Sequence, residues 1–164
     1  MGLDMYLYSF PKLEGVDFWE SMKVDTYRWQ LEKKDNILYQ KVAKHLEESG
    51  MSWDDVQRQD VAYWRKANQI HNWFVENLQD SVDNCSISEV KRSHIILLNN
   101  YCRMILESSA KAEDVLPTTP GFYFGSTTYD SFYYSEIYET HTLLAFLIQN
   151  FSFDKNYLFY QSSW

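Results

Sequence analysis

The octet Leu3-Asp4-Met5-Tyr6-Leu7-Tyr8-Ser9-Phe10 alternates: Leu3, Met5 and Leu7 fall on one side, Asp4, Tyr6 and Tyr8 on the other, and Pro11 ends the pattern. A period of two marks a half-buried strand. Such a strand cannot stand alone, because its backbone groups need neighbours and its apolar side needs cover. A chain that opens this way is committed to a sheet, and the remaining sequence must supply partner strands and a covering layer. Tyr157-Leu158-Phe159-Tyr160 reads as a strand near the other end, and Phe122-Tyr123-Phe124, between Gly121 and Gly125, as a short central one.

The covering layer is expected to be helical. Asn36–Ser49 carries a narrow stripe of Ile37, Val42 and Leu46 and is stopped by Gly50. Asp54–Gln79 contains the main helix, with Trp64, Ala67, His71, Phe74 and Leu78 recurring at spacings of three and four. A further helix is capped at Ser86 or Ser88 and reaches Ala110, with Val90, His94, Leu97, Tyr101 and Met104 inward, widened by Leu98 and Ile105. The last spans Ser131–Asn150, with Tyr134, Ile137, His141, Leu144 and Ile148 inward. Residues 12–35 take no assignment. The segment 116–121, LPTTPG, is the clearest break. With no repeat and no long linker, residues 1–164 read as a single α+β domain. Its small sheet of N-terminal, central and C-terminal strands is covered by three to four helices.

Charge narrows the classes of partner. The formal net charge is −8, which argues against direct nucleic-acid binding, because phosphate neutralisation needs clustered Lys and Arg. It permits a basic protein surface, including one that itself handles nucleic acid. From Ala112 onward the only basic residue is Lys155, against six acids, and residues 121–164 carry 15 aromatics, seven of them Tyr. Rings in such number either fill a core or form a protein-binding face, and the hydroxyls favour the face. Tyr129, Asp130, Tyr133 and Glu136 are its candidate contact residues.

Catalytic signatures are missing. The chain has no phosphate-binding glycine loop, no GxSxG elbow and no HExxH. Cys85 and Cys102 are too few for a disulfide scaffold. The first residues do not read as a signal peptide or a myristoylation site, and the longest apolar run, Leu143–Ile148, is too short to cross a bilayer. A non-enzymatic, cytoplasmic protein without membrane contact is expected. Two constellations remain. His71, on an otherwise apolar stripe, and Asp83 and Cys85 in the following turn have the chemistry of a structural zinc site, with His94, His141 and Cys102 as further possible ligands. The competing reading makes His71 a core histidine satisfied by a carbonyl or carboxylate. Arg65, Lys66 and Asn68 lie within one turn of the expected main helix, where they either line a pocket for an anionic or nucleotide-like ligand or form a solvated face. Asp4 is either exposed or receives Arg65 or His71.

The blocks MGLDMYLY, VAYWRKANQIHNWFVENLQDSVDNC, LPTTPGFYFGSTTYDSFYY and YQSSW resemble, in this order, a small protein family of bacteriophages and prophages whose function is uncertain. Residues 11–55 carry no part of the resemblance. The resemblance implies a phage-carried accessory protein, cytoplasmic in an infected bacterial host, and strengthens the pairing of His71 with Cys85. By analogy with small acidic phage proteins it points to a non-enzymatic anti-CRISPR inhibitor that blocks DNA binding by a type II CRISPR effector nuclease. The alternative is a small-ligand or nucleotide-binding accessory protein, or an enzyme, built on Arg65, Lys66 and Asn68.

Overall fold

The first strand, β1 (Asp4–Pro11), forms where the alternation places it. In the computed structural model, which describes residues 2–164, it lies between β2 (Gln59–Arg65) and β4 (Asn156–Ser163), antiparallel to both. A two-residue strand, β3 (Ser88–Glu89), pairs with β4 and completes the order β2-β1-β4-β3. β1 and β4 pair over their full lengths, from Asp4 opposite Ser163 to Pro11 opposite Asn156.

That register sorts side chains by parity. Leu3, Met5 and Leu7 share one face with Trp64, Leu158 and Tyr160, whereas Phe10 and Phe159 belong to the other. The first face is covered by α4 (Asn68–Leu78), α5 (Arg92–Glu107), the short α6 (Ala112–Val115) and α7 (Ser131–Asn150). The second is covered by α1 (Phe18–Tyr27), α2 (Leu31–Lys34) and α3 (Asn36–Ser49). The sheet is thus the middle of three layers, and the fold is α+β. Burying side chains such as Leu3, Met5, Leu7 and Phe10 completely contributes about 1.5–3 kcal/mol each.

Caps set the helix ends. Asp17 and Glu20 form a reciprocal capping box at α1, Asp35 accepts from the Leu38 N–H, and Asp130 accepts from the N–H groups of Phe132 and Tyr133. Gly50 ends α3 with φ 71°, the left-handed conformation a glycine adopts without penalty.

Three expectations are corrected. The main helix does not begin before Trp64: Gln59–Arg65 is strand β2, and the helix starts at Asn68 after a left-handed Lys66 with φ 60°. Trp64 and Phe74 enter the same core from a strand and a helix, so burial at helical spacing concealed the turn between them. Phe122-Tyr123-Phe124 is a turn, with Tyr123 at φ 61°, and the strand beside β1 is β2 instead. The helix expected from Ser86 or Ser88 starts at Arg92, since Ser88 and Glu89 pair with β4.

Three buried stripes also shift by one residue at some positions. In α3 Leu38 is buried in place of Ile37, in α5 the buried set is Ile95, Leu98, Cys102 and Ile105, and in α7 it is Tyr133, Ile137, Thr140, Leu144 and Leu147. Polar partners explain the rotation in α7. The Thr140 hydroxyl accepts from the Trp64 indole N–H at 2.9 Å, and the Tyr133 hydroxyl donates to the Leu116 carbonyl at 2.8 Å. Both groups can therefore be buried without loss.

Leu7→Ala is expected to cost about 2–5 kcal/mol in denaturant unfolding, as a fully buried strand residue. Ile37→Ala, at a position 73% exposed, should stay within about 0.5 kcal/mol.

Candidate functional site

The turn between β2 and α4 positions two clefts. Lys66 leaves the sheet with its N–H still donated to the Leu3 carbonyl at 2.8 Å, and its left-handed conformation turns the chain into α4. Asn68, buried in the first turn of α4, holds the loop before α7. Its amide nitrogen donates to the carbonyls of Ser126 at 2.9 Å and Phe124 at 3.2 Å, and its oxygen accepts from the Thr119 N–H at 2.9 Å. Gly125, at φ 97°, lies against Lys66, where a Cβ would come within 3.0 Å of the lysine Cβ. Asn68 is therefore spent on the loop and does not line a cleft with its neighbours.

Arg65 and Lys66 do line one. With Ala62, Tyr63 and Trp64 they form one wall of a groove of about 610 Å³, whose other wall is Phe132, Glu136, Glu139 and Leu143 of α7. Asp4, on the sheet face of Tyr63 and Arg65, accepts from the Tyr63 hydroxyl and lies 3.9 Å from the Arg65 guanidinium. Glu136 makes no hydrogen bond or ion pair among the described residues. Burial, and secondarily the charge of Glu139, raises its pKa above the ordinary carboxylate value.

His71 floors the second cleft, of about 410 Å³, with Asp83, Phe122, Phe124 and Trp164 among its walls. The imidazole is almost wholly buried and edge-on to Phe124. Nδ1 lies 2.7 Å from the Tyr160 hydroxyl and Nε2 2.9 Å from Asp83 Oδ2, and the Trp164 indole N–H donates to Asp83 Oδ1 at 2.9 Å. Burial holds the Tyr160 phenol well above pKa 10, so it stays a neutral hydroxyl that can donate to Nδ1 in the tautomer whose Nε2–H faces Asp83. The chain of bonds runs inward from Trp164 through Asp83 and His71 and ends on Tyr160, which has no exposed surface. It fastens β4, α4 and the turn after α4 together. Gly121 belongs to the same arrangement: a Cβ there would fall 2.4 Å from the Phe124 ring that covers His71.

Of the residues expected to hold zinc, His71 and Asp83 meet directly. Cys85 is half-buried at φ 58°, and no three His, Cys, Asp or Glu side chains among the described residues are gathered so as to hold a metal ion. His94 accepts from the Lys91 N–H at its own helix start, and Cys102 lies in the core, where burial pushes its thiol up to about 12. The expected contact residues of the last third separate. Only Glu136 reaches a groove; Tyr133 is buried, Asp130 caps α7, and the Tyr129 hydroxyl accepts from the Thr118 N–H. Phe132, Glu139 and Leu143 went unmarked in the sequence, although with Glu136 they recur at helical spacing. Tyr160 reaches His71, and Trp164 reaches Asp83, only through the course of β4. No helix among the described residues is long and apolar enough to cross a membrane.

Asn68→Ala should lower stability by roughly 1–3 kcal/mol in denaturant unfolding, because it strands two carbonyls and an N–H of the loop. The raised pKa of Glu136 means that the folded chain holds that proton more tightly than the unfolded chain. Stability from this group is therefore present at low pH and is lost as pH rises past the ordinary value of 4.5 and through the folded one. Glu136→Gln is expected to be more stable than the parent at pH 7, with the difference vanishing in acid; melting curves across pH would reveal this. Searches for similar proteins return no matching family model, curated protein or solved structure, so the reading of these clefts rests on their geometry and chemistry.

Proposed function

We propose that this chain is a non-enzymatic binding protein that inhibits a host defence protein by covering a basic, nucleic-acid-handling surface. The observation that carries the reading is the division of aromatics in the last third of the chain. Phe124, Tyr133, Phe159 and Tyr160 are buried, whereas Phe122, Tyr123, Phe132, Tyr138, Phe146 and Trp164 each expose more than half of their surface. Phe132 lines the groove beside Glu136 and Glu139, and exposed rings on a molecule of net charge −8 suit a partner that is both basic and apolar. The acidic charge would steer the encounter and the rings would supply the contact area.

The phage resemblance makes a type II CRISPR effector nuclease the partner of first choice. The ligand-binding alternative is less well supported, because the two glutamates facing Arg65 and Lys66 oppose an anionic ligand.

The test is inhibition of target-DNA binding and cleavage by such effectors. Stoichiometric inhibition that weakens with salt is expected. A Tyr138→Ser/Phe146→Ser double variant, altered only at exposed positions, should bind at least about tenfold more weakly with an unchanged melting temperature. Full DNA cleavage in the presence of excess folded protein would overturn the proposal.

A further inference from the structure

The two edges of the sheet are unlike. β3 is two residues long and offers little template for another strand. β2 is seven residues long, and from Ala62 to Arg65 it keeps an unbroken register against Leu7 to Asp4, beyond a bulge at Val61. Because the Lys66 N–H bonds to Leu3, and bonded residues alternate along an antiparallel ladder, Trp64 and Ala62 also spend their backbone groups on β1. Tyr63 and Arg65 turn theirs to the open edge, where no strand among the described residues pairs.

That edge borders the groove walled by Phe132, Glu136, Glu139 and Leu143 of α7. A strand edge facing a helix across a groove can receive an extended segment: backbone pairing on one side supplies affinity, and pockets on the helix select side chains. Here the helix wall is apolar at Phe132 and Leu143 and acidic between them. Glu136 is half-buried without a partner, a cost that an incoming cation would relieve. Arg65 does not relieve it, being drawn to Asp4 on the other sheet face. A second copy of the chain is a poor occupant, because both molecules carry a net charge of −8.

We propose that the β2–α7 groove captures an extended segment of a partner protein by strand addition, with a Lys or Arg of that segment set against Glu136 and Glu139. This rests on the reading of the chain as a protein-binding inhibitor and names the surface and the partner chemistry.

The test titrates the ¹⁵N-labelled protein with acetyl-Thr-Val-Thr-Lys-Thr-Val-Thr-amide and with the same peptide carrying Glu for Lys. The lysine peptide should bind at least about tenfold tighter, and the amide protons of Tyr63 and Arg65 should shift and exchange more slowly. Glu136→Gln/Glu139→Gln should erase the preference. Tyr63→Pro should abolish binding while keeping the fold, since the N–H it removes is not part of the ladder. Should that variant unfold, amide protection in the parent decides the matter. Absence of binding at millimolar peptide, equal binding of both peptides, shifts confined to another surface, or self-association through β2 would each overturn the proposal. The nuclease assay separates the two readings. Peptide capture without inhibition of any effector would overturn the inhibitor reading alone, and inhibition by a chain that captures neither peptide would overturn the groove alone.

Discussion

The pairing of β1 with β4 is the interaction on which the rest depends. It joins residues far apart in the chain, Asp4 to Ser163 and Pro11 to Asn156. The loop-closure entropy of such a contact is large, and it is offset only because the two strands bury side chains on both faces at once. Leu7 and Tyr160 enter one core while Phe10 and Phe159 enter the other. Without that pair neither core has a floor, and the short β3 has nothing to pair with.

The His71 chain of bonds depends on the same pairing. Tyr160 reaches Nδ1 only because β4 lies beside β1 in this register, and Trp164 reaches Asp83 because the strand continues past its last pair. A histidine on an apolar stripe is costly to bury unless both nitrogens are satisfied. Here the phenol and the carboxylate satisfy them, and a core position, a turn and Trp164 become one unit. The edge of β2 plays a complementary part. Its ladder to β1 leaves one backbone edge open toward α7, so the element that anchors Trp64 in the core also carries the surface assigned to partner capture.

Legibility followed the range of the forces involved. β1, α3 and α7 could be read from the chain because alternation, an Asp cap and a terminal glycine act within a few residues. β2 could not, because Trp64, Ala67 and His71 keep helical spacing while belonging to a strand, a turn and a helix. The site divided in the same way. The pairing of His71 with Asp83 was legible as a helix and its following turn, whereas Glu136 and Arg65 line one groove from elements some seventy residues apart.

The sequence by itself determined that this chain builds a sheet under helices, that its last third is acidic and rich in rings, and that His71 needs a polar partner. Period, charge and residue type are local properties, and they survive without knowledge of the fold. Only the tertiary structure decided which rings are buried, which edge of the sheet is open and which partners His71 takes. Each of these depends on strand register and on which residues of a helix face inward. Register and facing are fixed by packing between distant segments, where a shift of one residue exchanges core for surface.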